Sequence, residues 1–136
     1  MRSPGRQLLM VTEAVARAIE EIRMTFSEHR VDAVEDGQGG ARVTVHDVDY
    51  GQQYRPARSW IGFAITFQYD ASDCYPHLVD GGLARVDGQP LGAGFGSATW
   101  NGATATQVSR RSNGWRPGVD TAAGKLIKVL EWIRSR

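Results

Sequence analysis

Apolar residues recur every three or four positions near both ends of this chain, and every second position in its middle. The first stripe has helical spacing and comprises Leu8, Val11, Val15, Ala18, Ile19, Ile22 and Phe26. Charged residues, including Glu13 and Arg17, occupy the opposite side. An apolar stripe with a charged reverse side is typical of an amphipathic helix. The pattern therefore predicts a helix over about residues 8–26 with one buried side.

The middle of the chain, about residues 30–87, has the alternation of strands. The stretches RVDAVED and ARVTVHDVD flank a glycine-rich turn and predict a hairpin. The clearest strand is SWIGFAITFQY, whose apolar side comprises Ile61, Phe63, Ile65 and Phe67. Because its other side is small or polar, we expect this strand to be central in a sheet with one covered face. A short fourth strand is predicted around residues 83–86.

No period of either kind appears between Gly88 and Gln107. We therefore predict an irregular flap over about residues 88–114, and long loops of this kind tend to be functional or mobile. The glycine-rich GAGFG at residues 92–96 neither follows a clear strand nor opens a helix, so it does not predict a phosphate-binding loop.

The chain ends in a second amphipathic pattern, which predicts a helix over about residues 119–134 with Asp120 as its N-cap. Its stripe comprises Val119, Ala122, Leu126, Val129, Leu130 and Ile133. With no internal repeat or linker, residues 1–136 are predicted to form one α+β domain. In this domain an N-terminal helix, a four-stranded antiparallel meander, a flap and a C-terminal helix follow one another.

Composition narrows the function classes. A net charge of +1 gives no sign of nucleic-acid binding, and no apolar run approaches the length of a membrane span. The single cysteine, Cys74, excludes an internal disulfide and suits a reducing compartment, so we expect a cytoplasmic protein. Three scattered histidines show no ligand spacing, and neither a metal nor a cofactor is predicted.

Two segments resemble the ubiquitin-conjugating (UBC) fold. In FAITFQYDASDCYP, Tyr75 and Pro76 take the places of the Tyr-Pro turn that follows the third strand of that family. In WRPGVDTAAGKLIKVLEWI, Trp115 and Pro117 resemble the Trp-x-Pro element that begins the next helix. The resemblance covers most of the chain from residue 8 onward, and it implies a helix, a four-stranded meander, an active-site flap and a second helix.

A group of bacterial UBC-like proteins, encoded near ubiquitin-like modifiers and their activating enzymes, is more similar still. The matching stretch is VSRRSNGWRPGVD, with Ser109 and Arg110 in its first part and Trp115 to Asp120 in its second. This resemblance implies a role in a ubiquitin-like conjugation pathway. The implied partner is a ubiquitin-like modifier, its activating enzyme, or both.

Conjugating enzymes need a thiolate, because the modifier is carried as a thioester. The family's cysteine would fall near Gln107, where this chain has none. Cys74 instead precedes the Tyr-Pro turn, where a buried structural role is expected of a free cysteine. A relocated nucleophile, Cys74 activated by His77, is the catalytic alternative.

The end of the flap carries Arg110 and Arg111, and Trp115 and Arg116 follow it directly. Arginine next to an aromatic residue is frequent at protein interfaces, and guanidinium groups pair with carboxylates. We therefore predict a binding surface here, with Trp115 mainly in the core. Three functions stay open: a non-catalytic UBC-like binding protein, a divergent conjugating enzyme that uses Cys74, and a structural or assembly domain.

Overall fold

A computed structural model describes residues 10–136, which form two helices and eight strands. The helices are α1 (Glu13–Thr25) and α2 (Ala122–Arg134). The strands are β1 (Val31–Glu35), β2 (Ala41–Asp49), β3 (Tyr54–Arg55), β4 (Arg58–Ile65), β5 (His77–Asp80), β6 (Ala84–Arg85), β7 (Phe95–Trp100) and β8 (Ala103–Val108). The α+β class, with one helix before and one after a mostly antiparallel sheet, is confirmed.

Helix α1 begins where a side chain can cap it. The hydroxyl of Thr12 accepts a hydrogen bond from the amide of Val15 at 3.1 Å, which satisfies a donor left free in the first turn. The buried stripe is Val15, Ala18, Ile19 and Ile22, as predicted. The helix is shorter than predicted, since Val11 forms a bridge with Gly39. Leu8, the predicted start, lies outside the described residues.

Six strands form the main sheet in the order β1-β2-β4-β5-β8-β7, with every neighbouring pair antiparallel. One row across it runs through Val43, Phe63, His77, Val108 and Phe95. The buried sides of α1 and α2 join this side of the sheet in one hydrophobic cluster. The core is therefore the layer between the two helices and one face of the sheet.

The predicted central strand is confirmed as β4, which lies between β2 and β5. Its alternation ends sooner than predicted, because Phe67 lies beyond the strand and is 54% exposed. The predicted fourth strand was misplaced. The next strand of the main sheet is β5, whereas β6 pairs with β3 in a separate two-stranded sheet.

The prediction of an irregular flap over residues 88–114 was wrong for residues 95–108. Strands β7 and β8 form a hairpin whose two-residue turn is Asn101-Gly102. Both turn residues have positive φ, 50° and 80°, as a type I′ turn requires. The sheet therefore has six strands where a four-stranded meander was predicted, and the irregular segment before α2 is residues 109–121.

The predicted N-cap of α2 was one residue off. Thr121 caps the helix, its hydroxyl accepting from the Gly124 amide at 3.0 Å. Val119, predicted to begin the apolar stripe, lies before the helix and is 61% exposed. Asp120 instead accepts a hydrogen bond from the Arg116 amide at 2.8 Å and closes a turn before the helix. Neither α1 nor α2 has the length and apolar content that crossing a bilayer requires.

Candidate functional site

A pocket of about 620 Å³ lies between the segment that follows β8 and the first turns of α2. It brings together all four residues predicted to bind a partner, which are Arg110, Arg111, Trp115 and Arg116. Helix α2 contributes Lys125 and Lys128 to the same wall. The predicted binding residues and two lysines from the helix thus face one space, which we call the cationic pocket.

Trp115 fixes the irregular segment to the domain. Its indole N–H donates to the backbone oxygen of Asp70 at 2.8 Å, and its ring is tilted against Tyr69 with 6.3 Å between centroids. It is partly buried and packs against the hydrophobic core, as predicted. The Asp70 carboxylate accepts from the Gly118 amide at 3.2 Å, which holds the end of the segment. The pocket wall is therefore anchored at two points to the turn after β4.

The inner wall of the pocket is backed by a largely buried ion pair, in which Lys125 lines the pocket and Asp73 lies outside the lining. Lys125 donates to both carboxylate oxygens of Asp73, at 2.9 and 2.8 Å, and to the Ser112 hydroxyl at 2.8 Å. Asp73 also accepts from the Ser112 amide at 2.7 Å. Burial opposes ionisation of Asp73, but the hydrogen bonds from Lys125 and Ser112 outweigh it and hold the Asp73 pKa below its ordinary value. All three donors of Lys125 are thus used inside the protein.

Two arginines on the rim, Arg110 and Arg111, are held by aromatic rings and not by an ion pair like that of Lys125. The Arg110 guanidinium lies 4.8 Å from the ring centroid of Trp132, and the Arg111 guanidinium lies 4.0 Å from that of Tyr75. Both distances are within the range of cation–π attraction. Among residues 10–136, no acceptor takes a hydrogen bond from either side chain. Stacking uses the face of a guanidinium and leaves its in-plane N–H donors available.

Charges in the pocket do not balance. Five cationic side chains line it, namely Arg110, Arg111, Arg116, Lys125 and Lys128. Only two carboxylates compensate these charges: Asp73 pairs with Lys125, and Asp120 pairs with Arg116 at 3.1 Å. The hydrogen bond from Arg116 lowers the Asp120 pKa, which keeps that carboxylate charged. The N-terminus of α2, which is the positive end of the helix dipole, also borders the pocket. The pocket therefore favours an anion.

Cys74 lies outside the pocket lining and is buried, with 2% of its surface exposed. Burial, reinforced by the Asp73 carboxylate, raises the Cys74 pKa to about 12. A thiol in this environment stays protonated at neutral pH, and the thiolate is the nucleophilic form. The structure therefore argues against the catalytic alternative on Cys74.

The surroundings of His77 do not suit a base for Cys74. Its ring is fully buried and stacked on Phe63 with 4.7 Å between centroids, and neither ring nitrogen has a hydrogen-bond partner in the described part of the chain. Burial, together with the nearby Lys125 ammonium, lowers the His77 pKa to about 3. The imidazole is therefore neutral and acts as an apolar ring of the core. No group of three histidine, cysteine or carboxylate side chains in residues 10–136 is placed to hold a metal ion.

Sequence reasoning missed the groups that position the arginines, namely Tyr75 and Trp132, and the ion pair beneath them. One signal was available for the pair. Lys125 follows Ala122 by three positions and precedes Leu126, so it stands inside the apolar stripe of α2. A lysine at such a position is seldom buried without a partner, so the sequence indicated a buried counter-charge but not which residue supplies it.

Comparison with known proteins returned no relative of this chain, since no family model, no curated protein and no solved structure matches it.

Proposed function

We propose that this chain is a non-catalytic, UBC-like binding protein of a bacterial ubiquitin-like conjugation pathway. In this proposal it binds a ubiquitin-like modifier or a pathway enzyme through a carboxylate that enters the cationic pocket. One observation carries the binding role: Arg110 and Arg111 are held by stacking on Trp132 and Tyr75, while their N–H donors have no acceptor in the described chain. Side chains fixed in this way are prepared for a ligand.

The order of elements supports the UBC-like part of the proposal. Tyr75 and Pro76 directly precede β5, and Trp115 and Pro117 stand in the segment that leads to α2, as the resemblance implies. One feature departs from the family pattern, because the β7–β8 hairpin occupies the region where the flap is expected. The position in which conjugating enzymes carry their cysteine therefore falls in a regular strand, at Gln107.

The chemistry of the pocket favours a carboxylate as the recognised group. A guanidinium presents a planar fork of donors that matches the two oxygens of a carboxylate, and such charge-assisted pairs are stronger than neutral hydrogen bonds. The volume of about 620 Å³ suits a chain end or a few side chains. A folded surface would reach only the rim, where Arg110, Arg111 and Arg116 are exposed.

Binding without thioester chemistry is consistent with the position of Cys74. A thioester needs an accessible thiolate, whereas this thiol is buried with a raised pKa. The proposal therefore predicts that Cys74 can be replaced without loss of binding.

The test is a binding experiment with purified candidate partners, which are the ubiquitin-like protein and the activating enzyme encoded nearest to this chain's gene. The variant Arg110→Glu with Arg111→Glu reverses the charge of the rim and should abolish co-purification. The matched control is Arg17→Glu with Arg30→Glu, which reverses two exposed arginines that do not line the pocket. The control should bind like the wild type.

A second arm tests the absence of thioester chemistry. The protein is incubated with the same modifier, its activating enzyme and ATP, and the products are separated with and without a reducing agent. No adduct is expected. A reducible adduct that disappears in Cys74→Ala would overturn the non-catalytic part of the proposal. Equal binding by the charge-reversal variant and its control would overturn the claim that the partner binds at the cationic pocket.

A further inference from the structure

Strand β7 is the last strand of the main sheet and pairs on one side only, with β8. No other strand of residues 10–136 pairs with its outer side. Gly96, Ser97 and Thr99 are exposed along it. An edge of this kind presents backbone N–H and C=O groups that can accept a further strand.

The register of the hairpin shows which backbone groups face outward. The Ser109 amide donates to the Gly94 oxygen at 2.8 Å, so these two residues form a hydrogen-bonded pair. Because such pairs alternate along an antiparallel ladder, Gly96 and Ala98 also direct their backbone groups to β8. The backbone groups of Ser97 and Thr99 therefore point away from the sheet.

Proteins usually protect a free edge with charges, proline or a bulge. Strand β7, FGSATW, has no charged residue and no proline, and its pairing with β8 runs without a register shift. The opposite edge, β1, differs. There Asp32 pairs with Arg30 and His46, and Glu35 accepts a hydrogen bond from the Met10 amide at 2.6 Å. Of the two edges, only β1 carries the protective charges.

The first residue of β7 adjoins the rim of the cationic pocket. The Phe95 ring packs on the Trp132 indole with 5.1 Å between centroids, and the guanidinium groups of Arg110 and Arg136 lie 4.8 and 5.0 Å from the centroid of that indole. Gly94 also lies against the indole, since a Cβ at this position would come within 2.6 Å of the ring. A single side chain thus separates the start of the free edge from the free donors of Arg110.

We infer that β7 binds the extended C-terminal segment of the partner as an added antiparallel strand, with the terminal carboxylate at Arg110. The inference rests on the proposed function and adds the conformation and direction of the bound segment. The carboxylate end must lie near Phe95, so the segment runs opposite to β7. The charge at this end favours a chain terminus over a second copy of β7, which carries no anion for Arg110.

The experiment uses an array of heptapeptides with randomised sequence and free C-terminal carboxylates, from which the strongest binder of the wild-type protein is selected. Its affinity is then measured for Ser97→Pro and for the control Ser97→Ala. Proline at this position removes an outward N–H and leaves the ladder to β8 intact. Ser97→Pro should lower the affinity by about tenfold or more, because a backbone bond is lost and the ring obstructs the added strand. Ser97→Ala should bind like the wild type.

A second measurement does not depend on the variant folding. Hydrogen exchange of the wild-type protein with the bound peptide should slow at the amides of Ser97 and Thr99. The amides of Gly96 and Ala98 should change little, because they already bond to β8. N-methylation at alternate peptide positions should abolish binding, and methylation at the intervening positions should be tolerated.

The outcomes separate the two proposals. If no peptide of the array binds, or if the affinity of the binders is unchanged by C-terminal amidation, carboxylate recognition by the cationic pocket is refuted. If a binder depends on Arg110 and Arg111 but Ser97→Pro and hydrogen exchange at β7 show no effect, the added strand is refuted while the pocket stands. If the protein is dimeric and Ser97→Pro makes it monomeric, the edge is an interface between copies and the inference is overturned.

Discussion

Lys125 and Arg110 line the same pocket, but only Lys125 uses its hydrogen-bond donors inside the protein. The ammonium of Lys125 is buried against Asp73 and Ser112. The guanidinium groups of Arg110 and Arg111 are stacked on aromatic rings with their donors free in the described chain. The inner wall of the pocket therefore maintains its shape and the rim is available for a ligand. Substitutions in the two regions should affect different measurements.

The largest effect is expected at the inner wall. Asp73→Ala leaves the Lys125 ammonium buried without a counter-ion, and it removes the acceptor of the Ser112 amide. Breaking a buried ion pair on one side costs about 3 kcal/mol of unfolding free energy. Urea denaturation monitored by circular dichroism measures it. The double variant Asp73→Leu with Lys125→Met should be less destabilised than Asp73→Ala, and a single variant as stable as wild type would show that the pair is not structural.

The next largest effect is a loss of stability at mildly acidic pH, which is caused by the buried His77. The pKa of His77 is about 3 in the folded state and near its ordinary 6.5 in the unfolded state. Between these values the unfolded state binds more protons, so stability falls as the pH is lowered through 6.5. From pH 7.5 to 5 the loss should be about 2 kcal/mol. Denaturation curves over this range should show it for the wild type and for His29→Gln.

In His77→Leu the same pH range should produce a much smaller loss. Carboxyl groups with lowered pKa values affect the stability only at lower pH; these groups are Asp32, Asp73, Asp87 and Asp120. Their stabilisation is lost only as the pH falls below about 4. A wild-type curve that stays flat from pH 7.5 to 5 would contradict a neutral, unpartnered imidazole in the core.

A smaller effect is expected from the stacking that positions the rim. Tyr75→Leu removes the ring beneath Arg111 and should weaken binding of a carboxylate peptide by about threefold, since an exposed cation–π contact contributes roughly 0.5–1 kcal/mol. Tyr75→Phe keeps the ring and serves as the control. Fluorescence titration measures both. Equal weakening in the two variants would assign the effect to the phenol hydroxyl, and stacking would then have no role in binding.

The smallest effect is expected at Arg116. Its side chain pairs with Asp120 at the rim, so one of its N–H donors is already in use and its charge is partly compensated. Exposed pairs of this kind contribute little. Arg116→Gln should leave the urea midpoint unchanged and reduce peptide affinity less than Arg110→Gln does. A loss as large as that of Arg110→Gln would show that Arg116 releases Asp120 and binds the ligand directly.

The helices and the central strand could be predicted because each buries one side, and the residues on that side are apolar at regular spacing. The stripe of Val15, Ile19 and Ile22 and the alternation of Ile61 and Phe63 meet the same core. The β7–β8 hairpin escaped prediction because an edge hairpin buries little. Of its residues Ala105, Thr106 and Val108 are buried, and β7 consists of small and polar side chains with an aromatic residue at each end. Its one clear signal was Asn101-Gly102, the preferred dipeptide of a type I′ turn.

The site could be predicted in part. Arginine next to tryptophan in a short segment identified four side chains that the structure brings to one pocket. The rings under Arg110 and Arg111 could not be predicted, because Tyr75 and Trp132 are distant in sequence and meet the arginines only through the packing of α2 and the turn before β5. Contacts of this kind depend on tertiary geometry and leave no local pattern.

The most direct test of the pocket is the contribution of a single carboxylate to binding. Isothermal titration compares the heptapeptide selected from the array with the same peptide amidated at its C-terminus. The free acid should bind the wild type at least about tenfold more tightly, since a charge-assisted pair with a guanidinium is lost in the amide. The difference should vanish in Arg110→Gln with Arg111→Gln. Equal affinities of acid and amide for the wild type would contradict carboxylate recognition by the cationic pocket.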